Sequence, residues 1–371
     1  MDDYLAFYQL YLLNMHLFDR PANLDLTNKN ILITGGTGSF GSTMLQMILA
    51  HYPSIGSLTV FSRDEYKQLV LFNQVPEHLR AKVHFILGDI RDSEAVDAIF
   101  KKKIHIIIHA AALKHISFSE SNPTEFIKTN IYGSKNIFDA ANTFGVEKCL
   151  VVSSDKAAAA SNTYGRTKAE MERLMHIAQS VNKCQFSAIR FGNFWGSRGS
   201  VVPQFLVQFA QKSEVQLFNE TSTRFFITLE DAVRFSFKAI DAMVGGEIFI
   251  PKLPSIYIKH IAEAVAGKAI ALISNRKGEK THENLLAEPE IVQTLENDFC
   301  YILTNNDHDF QLFKKAHQAS VLSSFALLKS DTNMFKLSLD EVKSLLAEYR
   351  KKHSLSLGLF HTIPMRNENT L

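Results

Sequence analysis

NILITGGTGSFG, residues Asn30 to Gly41, is the stretch on which the fold turns. A short apolar run rich in isoleucine reads as a strand, and the glycines after it open a helical stretch that reaches about Ala50. Strand, glycine-rich turn and helix in that order are the context a dinucleotide-binding fingerprint requires. Gly35 permits the tight turn, Gly38 lets backbone approach a pyrophosphate, and Gly41 lets the helix pack closely on the strand. Thr37, Ser39 and Phe40 complete the loop, and the helix N-terminus attracts phosphate.

Working outward, further apolar runs follow at Ser57–Ser62, Lys82–Leu87, Ile104–His109, Lys148–Ser153 and Cys184–Arg190, with helix-length segments between them. IHIIIH is continuous and apolar, like a strand covered on both faces. The alternation predicts an α/β protein with right-handed crossovers and a Rossmann-type doubly wound parallel sheet. Ligands of such a sheet sit at the carboxyl ends of its strands. The pattern changes near Gly192. Residues 29–192 read as the nucleotide-binding core, to which later segments return, and 193–290 as a smaller C-terminal substrate-binding lobe. Residues 291–371 read as a C-terminal region with an amphipathic terminal helix from Leu337.

Residues 1–28 form an N-terminal extension. Its first twenty residues are apolar and aromatic, without the basic start or small-residue cleavage site of a signal peptide. Gln9, Asn14 and His16 interrupt the run, which argues against a membrane span. An amphipathic helix packing on the body or on a sister subunit is the expectation, with attachment at a membrane surface as the alternative.

The 371 residues are 46% hydrophobic, enough for a large core with a smaller lobe, and the formal net charge of +2 gives no nucleic-acid-binding field. Lys101 to Lys103 follow a helix end, where cations suit the dipole. Cys149, Cys184 and Cys300 are far apart and odd in number, as in a cytoplasmic protein with reduced thiols. His109 and His115 lack metal-ligand company, so no metal is expected.

The second strand ends at Ser62 and Arg63, followed by Asp64, with Lys67 a turn later. A hydroxyl and a guanidinium suit the 2′-phosphate of NADP, whereas Asp64 keeps NAD open. Asp89 and Ile90, after the third strand, are placed to meet the adenine. Ala110, Ala111 and Ala112, after the fourth, leave room for the cofactor.

SSDKAAAASNTYGRTK, Ser153 to Lys168, follows the fifth strand. Tyr164 and Lys168 stand at i and i+4 on one helix face, and a neighbouring ammonium favours the phenolate. With the glycine fingerprint, this pair resembles the extended short-chain dehydrogenase/reductases. Asp155 and Lys156 add a second acid and base, which simple hydride transfer does not need. Dehydration of a hexose does: a ketone at C4 acidifies the C5 proton, a base removes it, and an acid protonates the departing C6 oxygen. Asp155 must then be raised to hold a proton and Lys156 lowered to act as base, although a mutual salt bridge shifts each the other way.

AALKHISFSESNPTEFIKTNIYGS, FGNFWGSRGSVVPQF, TRFFITLEDA, GGEIFIPKLPS and RKGEKTHE, together with the stretch around Tyr164, resemble the inverting UDP-N-acetylglucosamine 4,6-dehydratases over about Asn30 to Glu283. The resemblance implies Lys156 as base at C5, Asp155 as acid at C6, Tyr164 as base at the C4 hydroxyl, and Lys168 beside the cofactor ribose. It implies Lys114 between cofactor and sugar, and Asn193, Val201, Val202, Pro203 and Phe205 along the sugar and uracil. Arg224 and Arg276 would clamp the diphosphate and Glu279 the ribose. A UDP-sugar substrate and a homo-oligomer are implied too. The family's Asp-Lys-Ala-x-x-Pro pattern lacks its proline here, since Ala157 to Ala160 run on, and Lys277 replaces the proline of Arg-Pro-Gly-Glu-Lys. Two rival readings are a UDP-sugar 4-epimerase or reductase on the same fold, and a non-catalytic NADP-binding scaffold or regulator.

Overall fold

The computed structural model describes residues 23–181, 183–274, 278–322 and 328–353. The first twenty-two residues of the N-terminal extension thus lie outside the described residues; Asn23 to Asn28 lead into the core as an irregular segment with Leu26 buried. The strands are β1 (Asn30–Thr34), β2 (Ser57–Ser62), β3 (Val83–Leu87), β4 (Ile106–His109), β5 (Lys148–Ser154) and β6 (Gln185–Phe191). They are followed by β7 (Asn193–Phe194), β8 (Val215–Leu217), β9 (Thr223–Ile227), β10 (Ile248–Pro251) and β11 (Ser255–Tyr257). The last are β12 (Ile270–Leu272), β13 (Thr294–Glu296), β14 (Cys300–Leu303) and β15 (Ser320–Val321).

The main sheet runs β15-β13-β14-β10-β6-β5-β4-β1-β2-β3. From β3 to β10 every neighbouring pair is parallel. Each residue of β4 is buried, as helices on both faces require. The helix Ser39–His51 covers one face with Phe40, Met44, Leu45, Ile48 and Leu49, spaced to lie on one side. Strand order reverses between β1 and β4, which opens a crevice at their carboxyl ends.

A smaller body is built from the sheets β11-β9-β7 and β12-β8. Trp195, Val202, Phe205, Phe226, Ile256 and Ile261 form its separate apolar core. The terminal helix Leu339–His353 packs Val342 and Leu346 into that core. Ser338 and Glu341 cap it reciprocally, the backbone amide of Ser338 donating to the Glu341 carboxylate at 2.8 Å.

Three strands start later than the sequence pattern predicts, β6 by the single residue Cys184. Lys82 closes a 3₁₀ turn, and its ammonium donates to the carbonyls of Pro53 and Ile55 at 2.7 and 3.1 Å. His105 stands before β4, its Nδ1 accepting from the Asn30 amide. Beyond residue 192, β10 joins the main sheet in parallel, and β14, β13 and β15 extend it antiparallel. These last strands are too short to carry a visible period, which is why periodicity fades after Ala287.

Arg190 ties this late segment to the core. Its side chain is 1% exposed and binds Glu172 at 2.7 Å and Glu290 at 2.8 Å, and it donates to the Leu285 carbonyl at 3.0 Å. Arg190→Met leaves two carboxylates without their cation, one of them buried. Stability to chemical denaturation is expected to fall by about 3–5 kcal/mol; an unchanged midpoint would show the network to be dispensable.

Candidate active site

The crevice between β1 and β4 holds a cavity of about 590 Å³. Gly35 turns the chain there with φ +65°, and a Cβ on it would stand 2.7 Å from the Ala111 backbone. Only glycine fits. The floor is Gly35, Thr37, Gly38 and Ser39, and one wall is Ala110, Ala111, Ala112 and Lys114. Ser62, Arg63, Asp64, Lys67, Asp89 and Ile90 close the far end. Phe40 and Gly41 do not line the cavity. Phe40 stacks on Phe194 at 5.7 Å, and Gly41 packs against Gly35 and Gly36, so both support the loop from beneath.

These residues fit a nicotinamide dinucleotide: a cradle without side chains at the turn, a helix N-terminus, and cations around it. One cation escaped the sequence reading. Arg198 also lines the cavity; its guanidinium donates to the Thr37 carbonyl and its amide to Ser39 Oγ at 3.1 Å. Lys114 donates to the Arg198 carbonyl at 2.9 Å. Burial lowers the affinity of Lys114 for its proton, and Arg198 adds to the effect. Asn130, also unpredicted, fixes the 110–115 loop by bonding both backbone groups of Leu113.

At the far end Asp64 is already engaged. It caps the helix Glu65–Asn73, accepting from the Lys67 amide at 2.9 Å and the Lys67 ammonium at 2.6 Å, and these bonds hold its carboxyl below the usual range. Ser62 accepts from Gln68. Arg63 keeps a half-exposed side chain 3.5 Å from Asp89.

The second half of the site begins where β5 ends. Ser154 caps a single 3₁₀ turn, Asp155–Ala157. The chain then crosses Ala159, whose φ of 45° is left-handed, in the loop that lacks the proline. Asn162 caps the helix Thr163–Ser180 by accepting from the Gly165 amide at 2.8 Å. Gly165 faces the Asp155–Ala157 turn so closely that a Cβ would lie 2.3 Å from the Lys156 carbonyl oxygen. This contact brings Tyr164 over Asp155 and Lys156.

Lys168 shares the helix face of Tyr164, but its ammonium donates to the Val152 carbonyl at 2.7 Å, and burial lowers it to about 8. The cation that acts on the phenol is instead Lys156. Burial raises Tyr164, whereas the Ser154 hydroxyl and the Lys156 charge pull it back.

Asp155 is fully buried. Its Oδ1 accepts from Ser154 at 3.0 Å and from Lys156 at 3.0 Å, and Oδ2 has no hydrogen-bond partner among the described residues. Burial raises its proton affinity as acid chemistry needs, and the Glu283 carboxylate reinforces this against Lys156. For Lys156 the direction is opposite to the sequence expectation. Burial disfavours its ammonium, but Asp155 and Glu283 together outweigh that and raise it. Its Nζ donates to Asn193 Oδ1 at 2.9 Å and lies 3.7 Å from Glu283 Oε1.

The expected substrate residues separate into groups. Asn193 holds Lys156. Val202 and Phe205 lie in the core of the smaller body, because apolar residues three apart on the helix Val201–Lys212 face inward; Val201 and Pro203 stay half-buried. The Arg224 guanidinium is buried and donates to the carbonyls of Thr223, Lys280 and Thr281 at 2.7–2.9 Å, which pins that segment to β9. Gly278 accepts from Asn162 and Lys280 donates to Ala158, so the segment covers the catalytic loop. Glu279 is exposed, and Arg276 lies outside the described residues.

A family model described as a polysaccharide biosynthesis protein matches residues 31–305. An inverting UDP-N-acetylglucosamine 4,6-dehydratase of Campylobacter jejuni is 38% identical over 316 residues, 82% of this chain and 93% of its own. A UDP-glucose 4-epimerase of Rickettsia bellii is 35% identical over 335 residues, 86% of this chain and 95% of its own. Among solved structures, Pen from Bacillus thuringiensis has a TM-score of 0.78 at 31% identity, over 88% of this chain and 99% of its own. DesIV of Streptomyces venezuelae, a dTDP-glucose 4,6-dehydratase with NAD bound, has a TM-score of 0.64 over 88% of this chain and 98% of its own. At 17% identity it shows the likeness of fold.

Gly165→Ala forces the Asp155–Ala157 turn and the helix apart. Overpacking is expected to cost about 1–3 kcal/mol in thermal denaturation, and displacement of Asp155 and Lys156 to slow turnover on the order of 10²-fold. Native turnover by this variant would show that the close contact does not set the site.

Proposed function

The chain belongs to the polysaccharide biosynthesis protein family, and we propose that it is an NADP-dependent nucleotide-sugar 4,6-dehydratase. Its substrate on this reading is UDP-N-acetylglucosamine and its product UDP-2-acetamido-2,6-dideoxy-hexos-4-ulose with C5 inverted. The observation that carries the reading is the Asp155–Lys156 couple, 3.0 Å apart beneath Tyr164. A 4-epimerase needs only the tyrosine and a cofactor, and the Rickettsia relative keeps that reading alive as the second one.

Tyr164, whose phenolate the Ser154 hydroxyl favours, takes the proton of the C4 hydroxyl. A nicotinamide bound in the cradle would take hydride from C4 and give it back at C6 after water has left. The C4 ketone acidifies the proton on C5, which Lys156 removes, while Asp155 gives its proton to the departing C6 oxygen and water leaves. Lys156 then carries the ammonium and Asp155 the carboxylate, which is the ion pair the geometry displays. Passage of one proton across 3.0 Å restores the neutral couple; the proton that Tyr164 took from C4 is released to solvent, and solvent supplies the proton that completes C5 on its opposite face. Ser154 donates to Asp155 Oδ1 at 3.0 Å, and its hydroxyl favours the Tyr164 phenolate.

Preference for NADP is supported by the engagement of Asp64 with Lys67 and by the half-exposed Arg63. Arg276 and Glu279 take the diphosphate and ribose, Lys114 and Asn193 the sugar, and Arg224 adds charge while anchoring the segment that carries them. Cytoplasmic location accords with three free cysteines, and no helix among the described residues is long and apolar enough to cross a membrane. A homo-oligomer belongs to the same reading.

Incubation with UDP-N-acetylglucosamine in D₂O without added cofactor is expected to give a 6-methyl group, a 4-keto carbon and deuterium at C5 by NMR. A 4-epimer alone would favour the second reading. Lys156→Ala should abolish elimination and keep cofactor bound; product formed at the native rate would remove the proposed base. Arg63→Ala should weaken NADP binding by about tenfold and leave NAD binding unchanged, measured by fluorescence titration.

A further inference from the structure

Glu283 takes no part in the mechanism above, yet it sits inside the site. It is 1% exposed. Its Oε1 lies 3.7 Å from Lys156 Nζ and 3.8 Å from Arg224 Nε, and its Oε2 lies 3.7 Å from Lys280 Nζ. Oε2 has no hydrogen-bond partner among the described residues. A buried carboxylate that only filled space would be expected to accept short bonds. Here the backbone, not the carboxylate, fixes the residue: the Glu283 amide donates to Ser330 Oγ at 2.8 Å, and Ser330 in turn bonds Thr223 on β9.

Resting on the acid–base reading of Asp155 and Lys156, we propose that Glu283 is a positioning residue for that couple, a permanent counter-ion facing Lys156 that leaves Asp155 able to keep its proton. Charges on every packed element bear on this. Asp155 and Lys156 come from the 3₁₀ turn, Tyr164 from the helix above, Arg224 from β9, and Lys280 from the segment of Glu283 itself. Arg224 and Lys280 are occupied by backbone carbonyls and stand outside the proton transfers, so two fixed cations flank the Glu283 carboxylate. That carboxylate has two effects. It strengthens Lys156 as base, because the ammonium formed at C5 abstraction finds an anion when Asp155 is still neutral. It also resists ionisation of Asp155, which keeps the acid loaded. No atom is transferred to or from Glu283 in either effect.

The sign of the test follows. Removing the negative charge weakens proton binding at both members, so both limbs of the pH–rate profile move to lower pH. Glu283→Gln is expected to displace the whole profile by about one pH unit and to lower kcat near neutrality about tenfold, with KM within about twofold of native. Glu283→Asp, which keeps the charge, should restore the native profile. A Gln variant whose rate falls with the profile in place, or whose defect lies wholly in KM, would overturn the proposal. If the Gln variant does not fold, the Asp variant decides: a native profile supports the counter-ion, and a displaced one contradicts it. Lys156→Ala run in parallel separates the two levels. Persistent C5 deuteration in that variant would sink the acid–base reading itself, whatever Glu283 does.

Discussion

One ammonium, on a side chain only 13% exposed, organises the site. Lys156 is shared by Asp155 at 3.0 Å, Asn193 at 2.9 Å and Glu283 at 3.7 Å. Each partner comes from a different part of the fold: the end of β5, the short β7, and the segment pinned to β9. A charge with so little exposure is tolerable only when it is paired, so burial of Lys156 obliges the smaller body to dock where its carboxylate and amide can reach. The two bodies meet at the Asp155–Lys156 couple.

The cofactor half depends on backbone in the same way. Gly35 brings β1 against the Ala111 backbone, and Gly165 brings the helix against the Asp155–Ala157 turn. Arg198 bonds the glycine loop through Thr37 and Ser39, and its carbonyl accepts from Lys114. A site that removes hydride and returns it in one cycle gains from holding its cofactor between two such contacts, because release between the steps would strand the ketone.

Legibility in the sequence followed distance along the chain. The glycine turn, the run of strands around it and the spacing of Asp155, Lys156 and Tyr164 are local patterns, and the structure shows the turn and the parallel strands. Arg198 and Glu283 are not local. Each is a charged residue with no periodic context, and topology alone carries it to the crevice. Glu283 also bears on Lys156: it joins Asp155 in raising it, against the lowering that base chemistry asks for. Val202 and Phe205 show the converse. They stand in a stretch read as substrate lining, but the helix they sit on turns both into the apolar core.

The central claim is that oxidation at C4 drives loss of water through the Asp155–Lys156 couple, with the hydride returned to the same sugar. UDP-N-acetylglucosamine deuterated at C4 tests it most directly. The account predicts a product whose 6-methyl group carries the deuterium, transferred within one molecule. Deuterium found still at C4 of a 4-epimer, or lost to solvent, would contradict it.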